Sequence, residues 1–545
     1  MSLRTTLLLS LLALPAIPCR ADIADNHSAP LPGDEELERT HAVIGRVYID
    51  NENVFDLKNP AEDSRLFRLA DRFHIRSRTN VIDNQLLFHA GDAYSRRLLD
   101  ESARILRSAR YLYDASVEPV SYHDGVVDVL VTTRDVWTLN PGISFGRKGG
   151  KSSTGAEIEE LNFLGSGISL SASHKSGVDR NENFLEVGDK HLFGSWTGVR
   201  ARFADNSDGQ ARELSIGRPF YALDSRSSWG LDVVDDRRVE SLYDRGDIAD
   251  QYGVHRRYFE ASRGLSHGLE DGWANRWSIG ATYDNREFDA APEWTGASFV
   301  PADRKLVYPW IQYERVEDEY LTLRNHDQIG RTEDFSLGAE FRARLGWSDT
   351  AFGSDRRAMI FSTSARRGFQ IHEHSQVLFN AGLDGRLDGG SLENAVIESA
   401  IRYYVQQSDH RLFFTTFEAS TGRRLDLDNP IMLGGDNGLR GYPLRYQSGT
   451  SRALLTVEQR YFTDWYPFQL FRVGGAAFFD VGRVWGAGAL DQVNEGTLKD
   501  VGLGLRFGNS RSGLGNIIHV DVAFPLDGES SLKNMQFLVE TRERF

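Results

Sequence analysis

An arginine flanked by glycines is the feature of this 545-residue chain most suggestive of chemistry. Arg440 lies in the segment Gly434-Gly-Asp-Asn-Gly-Leu-Arg-Gly-Tyr-Pro443, between two strand patterns. Glycines permit tight turns, so a segment of this kind can fold into a compact hairpin that carries a cation into an interior. A buried cation needs a fixed anionic partner, because burying it unpaired costs several kcal/mol. We therefore predict a buried ion pair.

The candidate partner is Asp480, in the segment Phe478-Phe-Asp-Val-Gly482. In a strand, Phe478, Asp480 and Gly482 share one face, and the two residues between them share an apolar face. If this strand belongs to a barrel, its carboxylate should point into the polar interior, which we call the lumen. Arginine can bind a carboxylate there in bidentate fashion. We predict a contact between Arg440 and Asp480. Two roles remain open for it: gating transport, or only bracing the lumen.

Two other motifs resemble enzyme or metal sites and are rejected. Gly142-Ile-Ser-Phe-Gly146 has the glycine and serine spacing of hydrolases, but that chemistry needs a strand, a sharp turn and a helix. Here Arg147-Lys-Gly-Gly follows instead. His372-Glu-His374 could offer two imidazoles to a metal, but no third ligand is evident and the end of a hairpin explains it better. We expect no catalytic residues, no metal and no cofactor.

The N-terminus carries the pattern of a secretory signal peptide over residues 1–21. Arg4 precedes an apolar run, 7–17, which is too short to span a bilayer, and Cys19-Arg-Ala21 suits a cleavage site. Removing this segment would leave no cysteine, which is compatible with an oxidising compartment and excludes a disulfide scaffold. Residues 22–40, with two prolines and an acidic run, are predicted to be a flexible lead.

Residues 41–137 combine helical and strand patterns and are predicted to form a small α+β domain. The expected strands are 43–48, 115–122 and 126–132, and the expected helices are 64–73 and 95–112.

From residue 138 the helical period disappears and apolar and polar residues alternate, as in β-strands. One face of two such strands carries Val501, Leu503, Leu505 and Phe507, and Ile518, Val520, Val522 and Phe524. A soluble sandwich can show the same alternation. The signal peptide and a last strand bearing Phe537, Val539 and a terminal Phe545 favour a transmembrane antiparallel β-barrel whose last strand pairs with its first. At about 25 residues per strand and connection, residues 138–545 allow roughly sixteen strands.

The bulk composition narrows the partners. The formal net charge of −15 argues against nucleic acid. A mean hydropathy of −0.42 does not exclude a membrane barrel, because lipid-facing and lumen-facing residues average out.

Several short motifs together resemble the outer-membrane assembly-factor superfamily, the BamA/TamA-like surface antigens and the related two-partner-secretion transporters. Leu439-Arg-Gly-Tyr442 is similar to the signature loop of that family, and Phe478-x-Asp480-x-Gly482 to its partner strand motif. Gly91-Asp-x-Tyr94, with 99–106 and 111–115, looks like a POTRA domain, and 161–167 resembles early barrel strands. The resemblance covers about 41–545. It differs from many members in giving a single POTRA domain, with an apparent insertion around 59–77.

The resemblance implies insertion of proteins into the bacterial outer membrane, or their translocation across it. It implies a monomer with a periplasmic POTRA domain, and the lipid bilayer and unfolded or secreted client polypeptides as partners. Five strand patterns follow Tyr442, which would place Phe545 on the side opposite the Arg440 loop. A passive outer-membrane channel and a two-partner-secretion-type transporter remain the alternatives.

Overall fold

The computed structural model describes residues 31–296, 299–488, 490, 496–513 and 517–542. The expected signal peptide, 1–21, and the terminal Phe545 lie outside the described residues. The chain forms a small N-terminal unit with a three-stranded sheet, followed by a closed barrel.

The N-terminal unit packs its helices on one three-stranded sheet. Its elements are α1 (Asp34–Arg39), β1 (Val43–Glu52), α2 (Arg65–Phe73), α3 (Thr79–Asp83), α4 (Arg96–Arg107), β2 (Leu112–His123) and β3 (Val126–Asp135). The central strand is β3, which runs parallel to β1 and antiparallel to β2. Its alternating valines are fully buried together with Leu99 and Leu106 of α4. Among the described residues, no helix is both long and apolar enough to cross a membrane.

The expectation of a flexible lead is wrong for Asp34–Arg39, which form α1. Leu37 is fully buried in the core of the N-terminal unit. The Tyr94 hydroxyl donates to Asp34 Oδ1 at 2.5 Å. The Arg96 N–H also donates to Glu38 Oε1 at 2.9 Å. One buried leucine and two hydrogen bonds from distant residues therefore order a segment whose composition is polar, and none of these contacts is visible in local sequence.

After residue 138 the described chain is almost entirely strand. In chain order the strands are β4 (Leu139–Lys148), β5 (Lys151–Glu160), β6 (Ser169–Ser176), β7 (Asn181–Asp189), β8 (Gly198–Asn206), β9 (Gly209–Arg218), β10 (Ser227–Asp244), β11 (Asp247–Glu270), β12 (Trp273–Ala290), β13 (Arg304–Glu317), β14 (Tyr320–Arg324), β15 (Thr332–Ser336), β16 (Glu340–Ser348), β17 (Ala358–His372), β18 (Ser375–Asp388), β19 (Ser391–Ser408), β20 (Arg411–Arg423), β21 (Ile431–Leu433), β22 (Gln447–Gly449), β23 (Ser451–Phe462), β24 (Phe471–Trp485), β25 (Thr497–Asn509), β26 (Ile517–Pro525) and β27 (Gln536–Arg542).

A closed antiparallel barrel is confirmed, but the expected number of strands, about sixteen, is wrong: the barrel has twenty. Among the residues that the structure describes, only the pairs β14–β15 and β21–β22 form separate two-stranded sheets. The difference arises mainly over 139–218, where six strands follow one another through short connections such as Gly149-Gly150. Positive φ angles of 48° and 80° at these two glycines permit the tight turn. Strands so closely spaced use far fewer than 25 residues each.

The barrel is apolar outside and polar inside. Almost every barrel strand exposes large apolar side chains, for example Ile143 at 92%, Leu185 at 62% and Leu503 at 66%. Arginine and carboxylate side chains on the same strands are buried, including Arg506 and Asp521 at 0%. This polarity is the reverse of a soluble protein and is the arrangement of a membrane-spanning barrel.

The two ends of the barrel differ. β4 begins directly after the N-terminal unit, and because strand directions alternate, β27 ends at that same end. We call this end the N-terminal mouth and the opposite one the distal mouth. The long connection between β20 and β23 leaves the barrel at the distal mouth.

Arginines of α4 and the residue segment after it fix the N-terminal unit to the N-terminal mouth. They pair with carboxylates of the barrel and its turns: Arg97 with Asp224, Arg104 with Asp318, Arg107 with Asp334 and Arg110 with Glu159. The last two pairs are bidentate, with N–O distances of 2.6–3.0 Å. Bidentate geometry fixes orientation as well as position.

Candidate functional site

The connection between β20 and β23, which we call the lumenal loop (residues 424–450), folds into the barrel. Leu439 and Tyr442 are both 0% exposed. The Tyr442 hydroxyl donates to the Lys499 carbonyl at 2.8 Å and accepts from the Lys499 N–H at 3.2 Å. The surrounding apolar cluster consists of Leu433, Leu439, Tyr442, Tyr446, Leu454, Val484 and Leu498. Apolar packing on β23, β24 and β25 therefore holds this loop against the inner wall.

Arg440 occupies the centre of this arrangement and is 3% exposed. Its Nε and Nη2 donate to the two carboxylate oxygens of Asp480 at 2.8 and 2.9 Å, and its Nη1 donates to Glu458 at 2.8 Å. Its guanidinium carbon lies 3.4 Å from the ring centroid of Phe478. Two carboxylates thus bind the edge of the guanidinium and an aromatic ring covers one of its faces, which satisfies the requirement for burying a charge.

The ion pair belongs to a larger buried network on four neighbouring strands. The Thr456 hydroxyl donates to Asp480 at 2.8 Å, and Arg460 Nε donates to Glu458 at 3.0 Å. Arg506 pairs with Asp521, whose carboxylate lies 3.9 Å from Arg440. Because cations and carboxylates alternate, each charge is compensated by a neighbour.

Glycines let the loop and the wall approach each other. A Cβ on Gly441 would lie 2.7 Å from Asp500 Cβ and 3.0 Å from Pro525 N. A Cβ on Gly482 would lie 2.7 Å from Leu433 Cδ2 and 3.3 Å from Leu439 Cδ2. The structure therefore brings together all seven residues of the two motifs: Leu439, Arg440, Gly441, Tyr442, Phe478, Asp480 and Gly482.

Replacing Gly441 with alanine is expected to destabilise the seated loop by about 1–3 kcal/mol, the usual cost of overpacking. The added methyl group meets a backbone nitrogen, which cannot swing aside. The measurement is the temperature at which the folded, fast-migrating form of the protein is lost on unboiled gels. Gly382→Ala in β18 is the control, since its nearest contact would be an ordinary 3.7 Å. Equal melting of both variants would contradict a close fit at Gly441.

The lumenal loop is also attached to the opposite wall, a feature that sequence reasoning missed. Asp426 accepts from Arg386 at 2.6 and 2.7 Å and lies 2.8 Å from Arg304. Asp428 accepts from Arg286 at 2.8 Å and from Arg304 at 2.9 Å. These arginines stand on β12, β13 and β18 and line a polar cavity of about 760 Å³. The two aspartates in Asp426-Leu-Asp428, two residues apart at the start of a long loop, were the available signal.

A second inserted element enters from the N-terminal mouth. We call residues 318–338, which contain β14 and β15, the mouth hairpin. Ile329 is 6% exposed and packs in a cluster with Tyr404, Leu412, Phe414, Phe462, Ala476 and Ile517. These partners lie on β19, β20, β23, β24 and β26, which are three to eight strands round the barrel from β16, whereas the hairpin is inserted between β13 and β16. The mouth hairpin therefore crosses the lumen.

The mouth hairpin contacts the N-terminal unit as well. The Tyr113 hydroxyl donates to the Gly330 carbonyl at 2.9 Å, and Arg331 Nη2 donates to the Leu112 carbonyl at 2.9 Å. The bidentate pair of Arg107 with Asp334 adds to these contacts. Movement of the N-terminal unit would consequently be transmitted to this hairpin.

An ionic chain joins the two inserted elements. Glu458 bonds both Arg440 of the lumenal loop and Arg460. Arg460 Nη1 in turn donates to the His326 carbonyl at 3.1 Å and lies 3.4 Å from Asp327 of the mouth hairpin. This hairpin was not predicted from the sequence.

The first and last strands meet at a seam with little pairing. Among the described residues, β27 and β4 share a single paired position, Val539 with Arg147. Every other pair of neighbouring barrel strands shares at least seven paired positions among the described residues. Phe537 is 41% exposed and Val539 lies on the same outer face. Fewer backbone hydrogen bonds make this junction the easiest to open.

The two rejected motifs lie in ordinary strand structure. Gly142–Gly146 lie inside β4 and continue directly into β5. His372 ends β17, and Glu373 and His374 form the turn to β18. Within the part of the chain that the structure describes, no group of three histidine, cysteine or acidic side chains could hold a metal ion.

Comparisons with known proteins give only distant similarity. No protein-family model and no curated protein matches the chain. Among solved structures it is similar to CdiB from Acinetobacter baumannii, with a TM-score of 0.46 and 12% identity over 92% of this chain and 74% of that one. It is also similar to BamA from Haemophilus ducreyi lacking POTRA domains 1-3, with a TM-score of 0.40 and 13% identity over 91% and 84%. The FrpB iron transporter from Neisseria meningitidis gives a TM-score of 0.41 and 9% identity over 80% and 79%. Overlaps of this size carry no functional argument by themselves.

Proposed function

We propose that this chain is a bacterial outer-membrane protein that mediates insertion of proteins into that membrane or their translocation across it. The observation that carries the proposal is the seam, where β27 and β4 share one described pair. A barrel that opens there would offer two free strand edges to an incoming polypeptide, and backbone pairing would supply the binding energy. No nucleotide is needed for such exchange.

The reversed polarity of the barrel supports the membrane placement. Its apolar exterior suits a lipid bilayer, and its charged interior suits a lumen. With the N-terminal unit in the periplasm, the lumenal loop would enter from the outside of the cell. The same placement suits a monomer, because the barrel closes on itself.

We further propose that the N-terminal unit is a POTRA-like domain that receives client polypeptides on the edge of β2. The outer edge of β1 is already occupied near its start, where the Ile44 N–H donates to the Asp92 carbonyl and the Ile44 carbonyl accepts from the Gly91 N–H, both at 2.8 Å. On β2, the Ala115 carbonyl accepts from Arg107 at 2.7 Å, and Pro119 has no N–H to donate. The stretch best suited to receive a client strand is therefore Ser116–Glu118, shorter than the 115–122 edge predicted from sequence.

The seam can be tested with a disulfide. Arg147→Cys with Val539→Cys places two thiols at the paired position, where Cβ atoms of facing strands come within bonding reach. Oxidation is expected to abolish assembly or secretion of client proteins in cells that depend on the variant, and reduction to restore it. The readout is the level of folded outer-membrane proteins and of secreted proteins.

The matched control is Ile518→Cys with Thr541→Cys, which joins β26 to β27 inside an ordinary hairpin. That disulfide should leave activity unchanged, because the seam stays free. Full activity of the oxidised Arg147–Val539 variant would refute the proposal.

Passive conduction is the second candidate, favoured by the polar cavity of about 760 Å³ in the lumen. A passive channel should give steady conductance of the intact protein in planar bilayers. The levels of other folded outer-membrane proteins should then not change in cells that lack this protein.

A further inference from the structure

A helix of the N-terminal unit exposes an apolar face that no described residue covers. Leu66, Leu69 and Phe73 of α2 are 68%, 49% and 69% exposed. Their spacing of three and four residues puts them on one side of the helix. The exposed Ile75, at 53%, follows directly. Contiguous apolar side chains of this size mark an interaction surface.

The opposite side of α2 is fixed to the barrel rim. Phe67 stacks on Phe55 with ring centroids 4.1 Å apart, and Leu470 packs against this pair. Arg511 Nη1 donates to the Val54 carbonyl at 2.7 Å. Leu470 and Arg511 lie in turns of the N-terminal mouth, one between β23 and β24 and one after β25. The apolar face of α2 is thus held beside the rim and does not depend on a mobile tail.

The rim next to α2 is itself rich in exposed aromatic side chains. Trp465 is 63% and Phe468 80% exposed, in the same turn as Leu470. Tyr461, near the end of β23, is 46% exposed. Aromatic side chains at the ends of barrel strands lie at the level of lipid headgroups. The exposed face of α2 therefore continues a surface that already has interfacial character.

The charge around this face is complementary to phosphate. In a chain of net charge −15, residues 65–78 contain five arginines and one acidic residue, Asp71. Arg65, Arg68 and Arg72 lie together on a second side of α2, next to its apolar face. Arg65 and Arg72 have no ion pair among the described residues. Apolar and arginine-rich faces side by side are the pattern of a helix that lies in a membrane surface.

We propose that α2 binds the surface of the bilayer around the N-terminal mouth. Leu66, Leu69 and Phe73 enter the boundary between headgroups and acyl chains, and Arg65 and Arg72 contact phosphates of anionic lipids, while Arg68 stays bound to Asp63. The inference rests on the membrane placement of the barrel and is independent of any client protein. It assigns a role to the insertion around 59–77, which the order of strands and helices in the unit does not require.

The test uses the full mature chain, which carries no cysteine once the expected signal peptide is removed. Phe73→Cys is labelled with an environment-sensitive fluorophore, and the protein is reconstituted in vesicles of phosphatidylcholine alone or mixed with phosphatidylglycerol. Lipids brominated near the headgroup end of the acyl chain serve as quenchers. The control label is at His123→Cys, an exposed position at the end of β2, next to the turn to β3. Loss of heat-modifiable migration on gels identifies any sample in which the barrel failed to insert.

We expect quenching at position 73 well above that at position 123, and stronger in the anionic vesicles. Arg65→Gln with Arg72→Gln should remove the difference between the two lipid mixtures. The proposal is overturned if quenching at position 73 is no greater than at position 123. It is also overturned if the labelled protein that keeps Arg65 and Arg72 is quenched equally in both lipid mixtures. A fluorophore shielded from water but not quenched by lipid indicates a protein partner and also overturns it. Failure of client assembly would leave this readout unaffected, so the two proposals fail separately.

Discussion

Replacing Arg440 with methionine is expected to destabilise the folded barrel by about 3–5 kcal/mol, the usual cost of removing one partner of a buried ion pair. The change leaves Asp480 without its cation in a site where it is 0% exposed, and takes one of two arginines from Glu458. The barrel should still insert, since its strands are intact, but the lumenal loop should lose its fixed position and activity should fall. The measurements are the gel transition temperature and the level of assembled or secreted clients.

Arg452→Met is the matched control. Arg452 also lines the lumen and pairs with Glu418, but the Arg452 side chain is 22% exposed and the Glu418 side chain 32% exposed. Such a pair contributes about 1 kcal/mol or less. Adding Asp480→Asn to Arg440→Met should recover part of the loss by removing the uncompensated carboxylate. Equal effects of Arg440→Met and Arg452→Met would show that the buried network does not stabilise the loop.

Deleting residues 321–335 and joining the ends with a short glycine-serine link is expected to raise single-channel conductance several-fold. The mouth hairpin crosses the lumen, so its removal vacates the space that Ile329 fills among the inward-facing side chains of the far wall. It also removes Asp327, which Arg460 contacts. Conductance in planar bilayers is the measurement.

Arg107→Ala tests the attachment of the mouth hairpin to the N-terminal unit separately from its filling of the lumen. It removes the pair with Asp334, and hence one link to the N-terminal unit, but leaves Ile329 and Asp327 in place. Its conductance should stay near that of the unmodified protein. A deletion variant that conducts no more than the unmodified protein would show that the hairpin is not what blocks the lumen.

The contact of Arg440 with Asp480 could be predicted because both signals are local. The glycines around Arg440 and the alternation of apolar and polar residues around Asp480 can each be recognised within ten residues of sequence. Burial then requires the pairing, because each charge alone would be costly. Glu458 and Arg460 lie on the polar face that the alternation predicts, but they were not predicted as site residues, because charged residues on such a face are common and only the fold shows which of them meet the loop.

The strand number and the mouth hairpin could not be obtained in the same way. An average length per strand hides the difference between the short hairpins of 139–218 and the 24 residues of β11. The segment 384–390, rich in glycine and aspartate, has the composition of a loop, but β18 extends to Asp388 and only Gly389-Gly390 form the turn. The position of Ile329 depends on partners as distant as Ile517. Contacts across such separations leave no periodic trace in either segment.

The pairing of Val539 with Arg147 has a consequence for the biogenesis of the protein itself. Almost four hundred residues separate the two, so the barrel cannot close until the chain has been synthesised as far as Val539. Contacts of such long range form slowly, and before they form both outer strands are unprotected against aggregation. With the membrane placement proposed above, the unfolded chain is expected to depend on periplasmic chaperones more strongly than proteins stabilised by local contacts.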